Sequence, residues 1–73
     1  MVPNDFIEVT CLDDGKRALI RTDLIEAVYE YGERKVAYGV KPAHTEICYA
    51  DNKQVDCIES YDEIASQIWK SEL

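Results

Sequence analysis

Apolar and polar positions alternate from Phe6 to Leu12, with Ile7, Val9 and Cys11 on one face and Glu8 and Thr10 on the other. That is the period-two signature of a half-buried strand. Asp13-Asp14-Gly15 follows; Asp tolerates positive φ and Gly adopts it without steric cost, so a hairpin turn is predicted there. The return strand covers 16–21, with Ala18 and Ile20 inward and Arg17 and Arg21 outward. Thr22-Asp23-Leu24 breaks the alternation. The Thr and Asp side-chain oxygens compete for nearby backbone N–H groups, which favours a tight turn or a single helical turn. A third strand is expected over 25–31. Glu26 and Glu30 flank Val28 on one side of it, and Ala27, Tyr29 and Tyr31 lie on the other. Neither face is cleanly apolar, which predicts a bulge near Leu24-Ile25.

Residues 32–43 hold two of the three glycines, Pro42 and the basic cluster Arg34-Lys35, and read as an irregular insertion, a loop with some strand character. Alternation resumes over 44–50, with Thr45, Ile47 and Tyr49 on one face. Asp51-Asn52-Lys53 turns the chain and 54–59 returns it. Two registers suit this hairpin. A two-residue loop sets Cys48 opposite Cys57 and Ala50 opposite Val55. A three-residue loop sets Ile47 opposite Cys57 and Tyr49 opposite Val55. A one-residue slip flips every side chain to the other face, yet both registers leave an apolar face. The period then changes. Ser60 and Glu63 form a capping box, Asp62 and Glu63 suit the positive end of a helix dipole and Lys70 the negative end. Tyr61, Ile64, Ala65, Ile68 and Trp69 fall on one stripe at helical spacing, predicting a helix over 61–71.

These elements imply one α+β domain: a curled, barrel-like antiparallel sheet of four to five strands, with a single C-terminal helix packed on it. A core of this size rarely supplies more than about 3–5 kcal/mol, so association with a partner or with itself is a natural source of further stability. The formal charge of -7, from eight basic and fifteen acidic residues, opposes direct nucleic-acid binding, which needs basic surface. It also opposes binding to anionic membranes. No apolar run approaches the roughly 20 residues of a membrane helix, so membrane insertion is not expected. Met1-Val2-Pro3-Asn4-Asp5 has neither a basic nor an apolar leader segment, which predicts a cytoplasmic location.

The chemistry on offer is thin. His44, beside Pro42 and Thr45, reads most simply as a solvated loop residue; a catalytic role would need a nucleophile or carboxylate held within hydrogen-bond reach, and nothing in the sequence points to one. Cys11, Cys48 and Cys57 are an odd number with no CxxC pair, and read as small apolar strand residues. Zinc through His44, Cys48 and Cys57 fits no usual ligand spacing. A Cys48–Cys57 disulfide, allowed by one register, is disfavoured in a reducing cytosol. The glycines at 15, 32 and 39 match no phosphate-binding loop. No catalytic, metal or cofactor residue is expected, and the chain reads as a non-enzyme. Five tyrosines and one tryptophan are a generous supply for 73 residues, and such side chains favour interfaces. Tyr49 and Tyr61 are assigned to the core. Tyr29, Tyr31 and Tyr38 suit core and contact equally. Trp69 suits the core or a dimer seam.

The order of features resembles the FlbD family of small flagellar and swarming-motility proteins. The resemblance is carried by Ile7-Glu8-Val9-Thr10, Leu12-Asp13-Asp14-Gly15 and the run from Ile20-Arg21-Thr22-Asp23-Leu24-Ile25 to Glu30, and later by Thr45-Glu46-Ile47 and Glu59-Ser60-Tyr61-Asp62-Glu63-Ile64. Gly32 to Ala43 stands as an insertion, and Asp13-Asp14 replaces the family's Asn-Gly. The resemblance implies the fold and no catalytic residues. The resulting expectation is a protein-interaction module with another protein, or a second copy, as partner. Contact would fall to Tyr29, Tyr31, Arg34, Lys35, Tyr38 and His44. The alternative is an acidic inhibitor or nucleic-acid mimic, encoded by a phage or mobile element, that occupies a basic host protein.

Overall fold

Strands β1 (Phe6–Thr10) and β2 (Arg17–Arg21) form the first hairpin, with Ile7 opposite Ile20 and Val9 opposite Ala18. The Asp-Asp-Gly turn is as expected: Gly15 sits at φ +72, where it adopts the left-handed region without a Cβ clash, and Asp14 Oδ1 accepts from the Lys16 N–H at 3.0 Å. Thr22–Leu24 makes one 3-10 turn. β3 (Ile25–Tyr31) then pairs with β6 (His44–Tyr49), with the ladder shifted between Ile25 and Ala27. That is the anticipated bulge. The computed structural model describes residues 5–71; the expectation about a leader falls partly on Met1-Val2-Pro3-Asn4, outside them.

The segment 32–43 is not an irregular loop. It holds β4 (Arg34–Val36) and β5 (Gly39–Lys41), an antiparallel pair closed by Ala37-Tyr38. Neither expected register of the last hairpin is adopted. β7 (Lys53–Cys57) lies against β6 with Tyr49 opposite Lys53, Ile47 opposite Val55 and Thr45 opposite Cys57. Ala50 leaves the strand to join Asp51 and Asn52 in the loop. Ala50 (φ 50) and Asn52 (φ 64) both take left-handed backbone, and the Ala50 N–H donates to the Leu24 carbonyl at 2.8 Å. Relative to the three-residue alternative the offset is two residues, so the same face stays inward. Cys48 faces Gln54 rather than Cys57, and all three cysteines are free thiols.

The sheet does not close into a barrel. The strands divide into β1-β2, β3-β6-β7 and β4-β5. Among the described residues a single bridge, Cys11 opposite Cys57, joins the first group to the second, with the Leu12 N–H on the Asp56 carbonyl and the Ile58 N–H on the Thr10 carbonyl. Farther along β1, side chains stand where a neighbouring strand would be. Gln67 bonds both backbone groups of Glu8, and Glu59 accepts from the Thr10 N–H and hydroxyl at 2.8 Å each. The edge is thus satisfied without a ladder.

Gln67 belongs to α1 (Tyr61–Ser71), which opens on the expected capping box: Ser60 Oγ accepts from the Glu63 N–H, and Glu63 Oε1 accepts from the Ser60 N–H. The helix packs on β1 and β3. Ile64 enters a core with Ile7, Val9, Ile20, Ile47 and Cys57, ringed by Ala18, Ile25, Val28, Tyr49, Val55 and Ile68. The apolar stripe is narrower than the sequence suggests. Tyr61 is 41% exposed and Trp69 68% exposed, so Tyr61 leaves the core assigned to it and Trp69 does not close the core. Among the described residues no helix is long and apolar enough to cross a membrane.

Candidate functional site

The two hairpins at the centre of the chain are one. Opposed positions of β3 and β6 have residue numbers that add to 75 from Ala27↔Cys48 to Tyr31↔His44, and those of β4 and β5 add to 75 again. The ladder therefore runs in one register to its tip. It is interrupted where Pro42 has no N–H to donate and Gly32 offers no side chain to pack. At roughly 3.3 Å per residue, the stretch from Ala27 to Val36 is about 30 Å long. Beyond Tyr31 it becomes an arm whose strands touch each other far more than the body, in a molecule with extents of 42 × 24 × 19 Å. Tyr38, in the turn, is 93% exposed, and Val40 is also exposed.

The root of the arm is built from charged and aromatic side chains. Tyr31 stacks on His44, with ring centroids 5.2 Å apart and planes 13° from parallel. The Arg34 guanidinium lies 5.9 Å from the Tyr31 centroid, within cation–π range. His44 is buried, not solvated. Its Nδ1 is 2.9 Å from the Pro42 carbonyl, which can only accept, so Nδ1 carries the proton. Nε2 faces Asp56 Oδ1 at 3.9 Å. The other oxygen of Asp56 pairs with Lys41 Nζ at 3.3 Å. Oδ1 itself is buried without a hydrogen-bond partner among the described residues. Asp56, on β7, thus ties down Lys41, the last residue of β5, and stands beside His44, the first of β6.

An open cleft of about 410 Å³ lies beside this root, lined by Tyr31, His44, Ile58, Ser60 and Tyr61 among others. Both nitrogens of His44 face protein groups, and the Ser60 hydroxyl is engaged with Glu63 in the helix cap. Cys57 is buried, and burial, aided by the charge of Glu59, pushes its thiol up to about 11. Cys48 is raised too, by desolvation and then by Glu46. Neither is primed as a nucleophile. Among the described residues no three His, Cys, Asp or Glu side chains converge as metal ligands would. His44, Cys48 and Cys57 are separated by the register.

No family model, curated protein or solved structure matches the chain. The site therefore rests on geometry.

Of the six contact residues expected from sequence, the structure brings Tyr31, Arg34 and His44 together at the root. Tyr29, half-exposed, sits two residues back along the ladder opposite Glu46. Lys35 and Tyr38 lie out along the arm. His44 supports Tyr31 and is itself almost wholly buried. Sequence reasoning missed Lys41 and Asp56. Their signal was the constant register, which the interruption at Pro42 concealed.

Proposed function

We propose that the chain is a non-enzymatic, cytoplasmic protein-interaction module, of the kind the FlbD resemblance implies, and that the arm is the part it presents. The observation carrying this reading is an extended, well-paired hairpin with Tyr38 and Val40 exposed beyond the body. Exposed aromatic and aliphatic groups on an ordered projection have little interaction inside their own chain, and ordering them in advance lowers the entropy cost of binding. Residues 32–43 hold three of the eight basic residues and one of the fifteen acidic ones. The arm thus carries +2 and the rest of the chain -9. The test is capture from the native host by wild-type chain and by a Tyr38→Ala/Val40→Ser variant. Loss of the captured protein at unchanged melting temperature is expected; equal capture by both would reject the reading.

The strongly acidic body supports a second reading, an inhibitor or nucleic-acid mimic acting on a basic protein. Such binding would weaken steeply as salt rises, and capture that persists in high salt would reject it.

A further inference from the structure

We infer that the outer edge formed by β3 and β4 pairs with the same edge of a second copy of this chain, antiparallel about a two-fold axis at Gly32. The inference rests on the reading that the chain acts by binding, and names one partner for it.

β3 is the outermost strand of its sheet, and β4 continues it in the same register. Together they present a row of backbone N–H and C=O groups with no strand beside them among the described residues. Such an edge is a template for pairing unless it is blunted. The contrast with β1 is direct, since there Gln67, Glu59 and the backbone at Asp56 and Ile58 occupy the second edge.

The charge order along the edge selects the partner. Glu26 and Glu30 lie in its first half and Arg34 and Lys35 in its second, all four exposed, with the exposed Glu33 next to the axis. None of the four belongs to an ion pair among the described residues. An edge that is acidic at one end and basic at the other is complementary to itself when turned through 180°. With the axis at Gly32, β3 of each protomer lies beside β4 of the other. Glu30 then stands opposite Arg34, Val28 opposite Val36 and Tyr29 opposite Lys35. Opposite charges and apolar pairs at facing positions each favour that register. β2, outermost in its own sheet, lacks this property. Antiparallel self-pairing would bring Arg17 of one copy to Arg21 of the other, and like charges guard that edge.

Analytical ultracentrifugation of the purified chain across the micromolar to millimolar range tests this. A dimer is expected. Glu30→Arg and Arg34→Glu should each raise the dimer Kd by on the order of tenfold or more, with unchanged circular dichroism and melting temperature. The double swap E30R/R34E should restore the wild-type Kd. A wild-type chain that is monomeric throughout, single swaps that leave association untouched, or a double swap that fails to restore it would each overturn the inference. A monomer that still loses its captured protein in the Tyr38→Ala/Val40→Ser variant would overturn the edge pairing alone and leave the interaction reading standing.

Discussion

The Gln67 carboxamide pairs with the backbone of Glu8, its Oε1 accepting from the N–H at 2.9 Å and its Nε2 donating to the C=O at 3.0 Å. One helical side chain thus replaces a strand at this point, 59 residues away in sequence. Gln67→Leu keeps the volume but strands two part-buried backbone groups. Stability should fall by about 1–3 kcal/mol, read as a melting temperature lower by roughly 4–8 °C per kcal/mol. A shift within the error of the melt would show that water satisfies Glu8 equally well.

Glu59 and Thr10 form a second such clamp, and they should couple. Glu59→Ala and Thr10→Val each remove the same paired contact, so the double variant should be less destabilised than the two singles combined. A coupling of about 0.5–3 kcal/mol from urea denaturation is expected. Strict additivity would mean that the carboxylate contributes nothing through Thr10.

The buried thiol of Cys57 makes stability fall in alkali. Its folded value of about 11 lies above the ordinary thiol value of 9.0. The unfolded thiol therefore loses its proton first, and the stabilisation is fully present below pH 9. It is lost as pH rises through about 11, at a slope approaching about 1.4 kcal/mol per pH unit. Cys57→Ala, less stable overall, should lack this part of the slope. Parallel pH profiles of the two proteins would refute the assignment.

Asp56 anchors the root of the arm while lying only partly buried. Asp56→Ala should cost about 1 kcal/mol of global stability but accelerate amide exchange at Gly39–Lys41 by more than that loss predicts. Uniform acceleration across all strands would show that the arm is not a separate unit.

Ile64 and Trp69 occupy the same predicted helical stripe yet differ sharply. Ile64→Ala should cost about 2–5 kcal/mol, enough to unfold most of a domain this small. Trp69→Ala, at an exposed site, should change stability by less than about 0.5 kcal/mol. Fluorescence and circular dichroism melts of the two variants measure both.

The difference between these two residues shows where sequence legibility ends. Helical spacing places Trp69 beside Ile68 on a plausible stripe, but only Ile68 packs against the core formed with the sheet, and Trp69 is left exposed. Tyr61, at the first turn, stands in the cleft wall instead of the core. His44 was misplaced because a residue next to Pro42 reads as loop, whereas the continuing ladder buries it beneath Tyr31. Residues 32–43 looked irregular because their glycines and proline interrupt the strand signal. The register that unites the arm belongs to pairs of distant residues, and no single stretch displays it.

Local interactions alone specified the first hairpin, the 3-10 corner, the bulge in β3, the capped helix and the inward set Ile7, Val9, Ile20, Ile47 and Ile64. Alternation, turn chemistry and capping act over a few neighbours and can be read in order along the chain. The open sheet, the single Cys11–Cys57 bridge, the clamps at Gln67 and Glu59 and the Tyr31–His44–Asp56 root were decided by tertiary structure. Each depends on which backbone groups remain unpaired once the strands have met, and that is settled only when distant parts of the chain compete for the same hydrogen bonds.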